Sequence, residues 1–384
     1  MLRRRPRSSA TIAALLAALG VGRAQTGPSN AQAALGTPTG SAASRNRHLP
    51  MGVPASLCLH GHVAPTILLV GAQKCGSSSL WFDLVTQVEG TLKARPTPGL
   101  EPGYFVKEQH FFDHDERFRQ GMAFYVAHYP TCTRGARARY AIDATPEYLY
   151  FPGMAARVHA AYIGHRRALR VIVIVRNPTD RVLSWYGHIG AWRGHGNLSL
   201  DEFVHVSLRE LRACAASHGL TTESDELWAS PCRRLHPPLY DALTGGLYAP
   251  QIAEWLRWFP ASQLALVTFG GYIKRTGEVL HDLAAFIGQG RRSGAPAVHA
   301  RAQAGASKPG ARQRQRLAAA HKNSWSMGQA VFNVTVRAAL TKFYWPHVDS
   351  LIALLHRPVA EHMFSTPFSP ASALTARGLI DGTM

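Results

Sequence analysis

Gly71 and Gly76 stand five residues apart at the end of an apolar run, with Lys74 between them and Ser77, Ser78 and Ser79 directly after. A strand that feeds Gly-x-x-x-x-Gly and then a helix turns backbone N–H groups and a helix N-terminus toward an anion. The triphosphate-cleaving form of that loop requires Lys-Ser/Thr right after the second glycine; here that place holds Ser77-Ser78. Lys74, the loop's lysine, therefore meets an anion at the loop's mouth from another direction. Cys75 is either a small residue that fits the turn or a thiol acidified by Lys74 and the helix end. A second cationic group lies about a hundred residues on, where Val171–Val175 ends in Arg176 and is followed by Asp180, Arg181 and Ser184. Magnesium-dependent phosphotransferases with this loop usually end such a strand in aspartate. An arginine there repels a metal and attracts a phosphate, bidentately where geometry allows. Arg181 and Ser184, three apart, share a helix face, and Asp180 is placed to orient either arginine. Two cationic sites at two strand ends call for one ligand that is anionic at both ends.

The elements needed to hold these groups are legible. Strands are predicted at 66–71, 139–142, 170–175 and 263–268, and the run Val171–Val175, continuous rather than alternating, reads as buried on both faces. Helical spacing predicts helices over 78–88, 153–163, 180–192, 200–214, 250–259, 278–287 and 336–343. Within 250–259, Ile252, Trp255, Leu256 and Phe259 share a face. Strands alternating with helices imply an α/β fold, a P-loop-like doubly wound parallel sheet flanked by helices, with ligands at the C-terminal ends of the strands. Both cationic groups fall there.

The segment Gly71–Leu80 resembles the 5′-phosphosulfate loop of sulfotransferases that use 3′-phosphoadenosine 5′-phosphosulfate (PAPS), and Arg176–Tyr186 resembles their 3′-phosphate site. Lys107-Glu108-Gln109-His110-Phe111-Phe112-Asp113 is similar to the Lys-Glu-x-His-Phe-Phe-Asp stretch of heparan sulfate glucosaminyl sulfotransferases, and Asp143–Tyr148 to the Thr-Pro-x-Tyr segment that follows it there. The resemblance implies PAPS as co-substrate, 3′,5′-adenosine bisphosphate as product and no metal. It also implies contacts to the nucleotide from Lys74, Cys75, Gly76, Ser77, Ser78, Ser79, Arg176 and Ser184, with Lys308 as a further candidate. Glu108 would be the catalytic base and Lys74 the group facing the leaving oxygen. His110 would assist, and Lys107, His110 and Asp113 would meet an anionic polysaccharide acceptor. Where relatives carry a lysine before Thr-Pro, this chain has Ala144. The rival readings are a P-loop nucleotide kinase or phosphotransferase and a non-catalytic binder of acidic glycans.

At 384 residues the chain accommodates one large α/β domain with tails. A formal net charge of +19 implies an anionic partner. No nucleic-acid recognition motif occurs, which argues against nucleic acid. Acidic residues are absent before Asp83 and between Asp282 and Asp349. Residues 1–24 open with Arg3, Arg4, Arg5 and Arg7 before an apolar stretch, and read as a secretory signal peptide or short signal anchor. A plastid transit peptide is the alternative. Membrane association would come through that segment alone, and secretory passage points to the Golgi. Residues 25–63 read as a disordered linker, 64–360 as the sulfotransferase domain with a basic loop at 288–316, and 361–384 as a tail. Asn197 and Asn333 sit in N-glycosylation sequons. Five cysteines make no framework, though Cys214 and Cys232 are candidates for a disulfide.

Overall fold

The computed structural model describes residues 56–95, 104–133, 139–192, 198–234, 242–288 and 333–356. The expectations for residues 1–24, Asn197, Lys308 with the basic loop, and the tail at 361–384 lie outside them. Seven strands occur among the described residues: β1 Cys58–Leu59, β2 His62–Val63, β3 Pro65–Gly71, β4 Thr91–Leu92, β5 Tyr140–Asp143, β6 Arg170–Val175 and β7 Leu264–Thr268. The helices are α1 Ser77–Gln87, α2 Tyr104–Lys107, α3 Asp115–Phe118, α4 Gly121–Ala127, α5 Glu147–Tyr150, α6 Met154–Ala161, α7 Pro178–Trp192, α8 Leu200–Ser217, α9 Tyr248–Trp258, α10 Phe269–Lys274, α11 Thr276–Ile287 and α12 Val334–Leu355.

Five strands form one parallel sheet in the order β4-β5-β3-β6-β7. The apolar runs explain its centre. Ile67–Val70 and Val171–Val175 are all at most 1% exposed, and each such side chain contributes about 1.5–3 kcal/mol on burial. The chain leaves β3 toward β4 on one side, and leaves β6 toward β7 on the other. These neighbours therefore diverge at their C-terminal ends, the place where such sheets open a crevice. The β6–β7 register sets Val175 level with Thr268, so Arg176 and Phe269 emerge side by side.

Local signals place the helices beside the crevice. The side chain of Asn177 accepts from the Thr179 amide at 2.9 Å, and Pro178 occupies the first helical position of α7, where its missing N–H costs nothing. Ser199 and Glu202 form a reciprocal capping box on α8. A second apolar cluster joins Val182, Trp185, Phe203, Leu211, Leu340 and Tyr344 from α7, α8 and α12. No described helix is long and apolar enough to cross a membrane.

Three expectations change. The last helix does not stop at 343 but runs to Leu355 with Pro346 inside it. The apolar face resumes beyond the proline at Val348 and Leu351, and buried His347 bonds Asp225 and Thr222. This packing outweighs the missing backbone bond. The end of the proposed linker is also folded: β1 and β2 pair antiparallel, and Cys58 is disulfide-bonded to Cys132 across 74 residues. Asp180 orients neither arginine of its own segment, pairing instead with Arg337 at 3.2 Å. Cys214 and Cys232 do form the second disulfide. Replacing Cys58 and Cys132 together by serine is expected to lower the unfolding free energy by about 2–4 kcal/mol, because the bridge closes a long loop in the unfolded chain. Urea unfolding reads this, and an unchanged midpoint would show that the hairpin holds without the bridge.

Candidate active site

The loop between β3 and α1 is held from three sides. Arg181 Nε donates to the Gln73 carbonyl at 3.0 Å. The Ala72 amide donates to the Ile174 carbonyl at 2.7 Å. Cys75 Sγ lies 3.3 Å from Tyr248 Oη, and that hydroxyl also donates to the Arg176 carbonyl at 2.9 Å. Tyr248 thus joins the glycine loop to the end of β6. Gly76 is the left-handed N-cap of α1, with φ of 96°, and a Cβ there would lie 2.6 Å from Phe269 Cδ2. Only glycine fits both demands. The Arg176 guanidinium stacks 4.9 Å from the centroid of the same Phe269 ring. One aromatic ring therefore packs against both the end of the glycine loop and Arg176.

The serines do not cap α1: its first turn carries no side-chain cap. The helix-end amides thus keep their capacity to hold an anion. Ser77 is buried, while Ser78 and Ser79 are half-buried. Lys74 also adopts a left-handed backbone, φ 67°, an uncommon and strained conformation outside glycine. Burial, then the charges of Arg181 and Lys107, lower its pKa to about 8. Cys75 is fully buried and in no disulfide, and burial raises its pKa, so the acidified-thiol alternative fails.

Arg181 and Arg176, indistinguishable as residue types, divide into two roles. Arg181 is 1% exposed, with Nη1 donating to the Ala242 carbonyl at 3.2 Å. A Cβ on Gly245 would lie 2.1 Å from its Nη2. It is a rivet between the loop, α7 and the 242–245 segment. Arg176 stays half-buried at the crevice, and Ser184 is half-buried one turn beyond Arg181.

The acidic segment follows α2 and is hung from the end of β5. The amides of Gln109, His110 and Phe111 donate in turn to Asp143 Oδ1 at 3.4 Å, Thr145 Oγ1 at 3.2 Å and Tyr148 Oη at 2.9 Å. Asp143 is fully buried and receives hydroxyls from Tyr125, Thr145 and Tyr148. The segment is thereby fixed with His110 in a left-handed conformation, φ 48°. His110 Nδ1 bonds Asp113 Oδ2 at 2.7 Å, and its Nε2 lies 3.5 Å from Glu108 Oε2. Lys107 Nζ pairs with Glu108 and reaches Ser77 Oγ at 3.5 Å. The acid segment and the glycine loop therefore meet. Burial opposes charge on both residues, yet their partners prevail. Lys107 and His110 draw Glu108 down to about 2, and bonds to Asp113 and Glu108 lift His110 to about 10.

Five further residues join the site. Gln73 and Glu147 are bonded at 2.9 Å, and Tyr248 and Phe269 form the bridges above. His188, four residues after Ser184 and so on its face of α7, is lowered to about 4 by burial and then by Lys74, and it feels Glu108 as well. Its spacing was one available signal, and Gln73 and Glu147 lie inside stretches already singled out, the glycine loop and Asp143–Tyr148, whereas Tyr248 and Phe269 enter from distant segments. Among the predicted residues, Lys74, Cys75, Gly76, Ser77, Lys107, Glu108, His110, Asp113 and Arg176 are linked by the contacts described. Ser78, Ser79 and Ser184 lie on the adjoining helices, and Asn333 is exposed as the N-cap of α12.

Residues 64–296 match the family model described as a sulfotransferase domain. The human heparan sulfate glucosamine 3-O-sulfotransferase 6 is 29% identical over 204 residues, 53% of this chain and 46% of that protein. The bifunctional heparan sulfate N-deacetylase/N-sulfotransferase 1 of Caenorhabditis elegans is 22% identical over 236 residues, 61% of this chain and 23% of that protein. The matched region thus spans about half the length of the first relative and a quarter of the second. A solved sulfotransferase from Alicyclobacillus acidocaldarius is 23% identical, with a TM-score of 0.48, covering 78% of this chain and 98% of that one.

Proposed function

Because this chain belongs to the sulfotransferase domain family, we propose that it transfers a sulfuryl group from PAPS to a hydroxyl or amine of a glycosaminoglycan-like polysaccharide. The observation that carries the reading is the meeting of the glycine loop and Arg176 at Phe269, with Glu108, His110 and Asp113 joined to the same loop through Lys107 and Ser77. The open amides of α1, with Lys74 and the serines, suit the 5′-phosphosulfate, and Arg176 with Ser184 suits the 3′-phosphate.

Sulfuryl transfer, like phosphoryl transfer, depends mainly on positioning and charge. The acceptor oxygen or nitrogen forms a bond to sulfur as the bond from sulfur to the bridging oxygen breaks. The acceptor's proton passes to Glu108, and negative charge grows on the departing phosphate, where Lys74 balances it. A carboxylate held near pKa 2 is a weak base. Lys107, which already touches both Glu108 and Ser77, strengthens the base when the donor's anionic group draws its ammonium toward the loop. His110, charged and anchored by Asp113, keeps Glu108 oriented.

The net charge of +19 suits an anionic polymer as acceptor. Two disulfides suit an oxidising compartment, and with the arginine-led N-terminal segment they support passage through the secretory pathway to the Golgi. The deciding experiment is transfer of radiolabelled sulfate from PAPS to a panel of sulfated and unsulfated polysaccharides. Label appearing on a glycan is expected; ATP turnover requiring magnesium, without use of PAPS, would overturn the reading. Arg176→Ala is expected to weaken 3′,5′-adenosine bisphosphate binding by about 1.5–3 kcal/mol, the range for a charged hydrogen bond. An unchanged dissociation constant by calorimetry would remove Arg176 from the 3′-phosphate site.

A further inference from the structure

Glu147 opens α5 just after Pro146 and touches both halves of the site. Its Oε1 accepts from Nε2 of Gln73, the neighbour of Lys74, at 2.9 Å. Its Oε2 is sealed from solvent and has no hydrogen-bond partner. A carboxyl oxygen of Glu147, one of Glu108 and a ring nitrogen of His110 lie within 4.8 Å of one another. Two ionised carboxylates that close, in an enclosed pocket, repel each other strongly. A second negative charge would also oppose an anionic donor on the adjacent loop. A neutral acid avoids both costs and gives the pocket a hydroxyl donor.

We propose that Glu147 is a positioning residue of the transfer reaction, a neutral carboxylic acid that ties the donor loop, through Gln73, to the acceptor base Glu108. This rests on the sulfuryl-transfer reading. The surrounding charges agree. Burial, then Glu108, raise its pKa to about 8, with Asp113 adding to the rise and His110 and Lys107 opposing it. Lys74 and His188 both feel the charge of Glu108. A divalent cation is the rival occupant of such a trio, but the ammonium of Lys107 on Glu108 and a charged His110 disfavour it.

The test uses the full chain, Glu147→Ala and Glu147→Gln, with PAPS saturating so that its anionic group keeps Lys74 protonated. Glu147→Ala is expected to lower kcat about tenfold or more while leaving adenosine bisphosphate affinity unchanged. Glu147→Gln, which can still accept from Gln73, is expected to restore most of that loss. It should also lack the fall in kcat expected of the native protein as pH rises through about 8. A full kcat in the alanine variant, or the native alkaline limb persisting in the glutamine variant, overturns the proposal. Absence of any transfer from PAPS by the native protein would instead defeat the functional reading. Thermal unfolding then tests Glu147 alone. The folded state keeps a proton that the unfolded chain releases above about pH 4.5, so stability should fall from there to about pH 8. Native Tm should therefore drop more steeply than that of Glu147→Gln, and parallel curves would overturn the assignment.

Discussion

Replacing Lys74 by alanine is expected to slow sulfuryl transfer about 10²–10³-fold at saturating PAPS, the usual loss when one preorganised donor to a developing oxyanion is removed. The size follows from where the lysine is held. Its left-handed backbone and the rivet from Arg181 to Gln73 fix the loop before any ligand arrives, so little reorganisation accompanies the reaction. Arg181, Lys107 and Arg176 crowd it with like charge, and an incoming polyanion relieves that repulsion. The same crowding sets a pH dependence. In the free protein Lys74 loses its proton as pH rises through about 8, so kcat/KM for PAPS should decline above that value. Bound donor restores the charge, and kcat should decline less on this account. Initial rates across pH separate the two parameters. Near-native turnover by Lys74→Ala would remove the lysine from the chemistry.

Glu108→Gln is expected to lower kcat about 10²–10⁴-fold, the range for loss of a positioned general base, with adenosine bisphosphate binding retained. The substitution keeps the shape of the side chain, and the segment is fixed by backbone bonds to Asp143, Thr145 and Tyr148 rather than by Glu108 itself. With Lys107 and His110 holding it near 2, Glu108 stays ionised throughout the neutral and mildly acid range. It should therefore contribute no acid limb to kcat/KM above about pH 4. Joint loss of turnover and nucleotide binding, by single-turnover kinetics and calorimetry, would make Glu108 structural.

Much of this architecture was legible in short stretches of sequence. The runs Ile67–Val70 and Val171–Val175 could only be strands covered on both faces, and the observed β6 has the predicted bounds. Asn177-Pro178 marked the start of α7 within two residues. The hairpin at Cys58–Val63 was not legible, because its composition matches the linker before it and its stability comes from Cys132, 74 residues away. The length of the last helix was not legible because its apolar face is satisfied by α7, α8 and α9, which are remote in sequence.

Residue types and their spacing determined, without further help, that this chain builds a parallel sheet with two cationic turns at its strand ends and a Lys-Glu-x-His acid segment between them. Those properties depend on neighbours a few positions apart, where backbone geometry decides what lies on one face. Only the tertiary structure decided which cation faces the crevice and which is buried as a rivet. It alone seated Tyr248 between Cys75 and Arg176, partners 173 and 72 residues distant. It alone enclosed Glu147 beside Glu108. Burial and the field of surrounding charges set each group's protonation, and both are made by segments that meet only when the chain has folded.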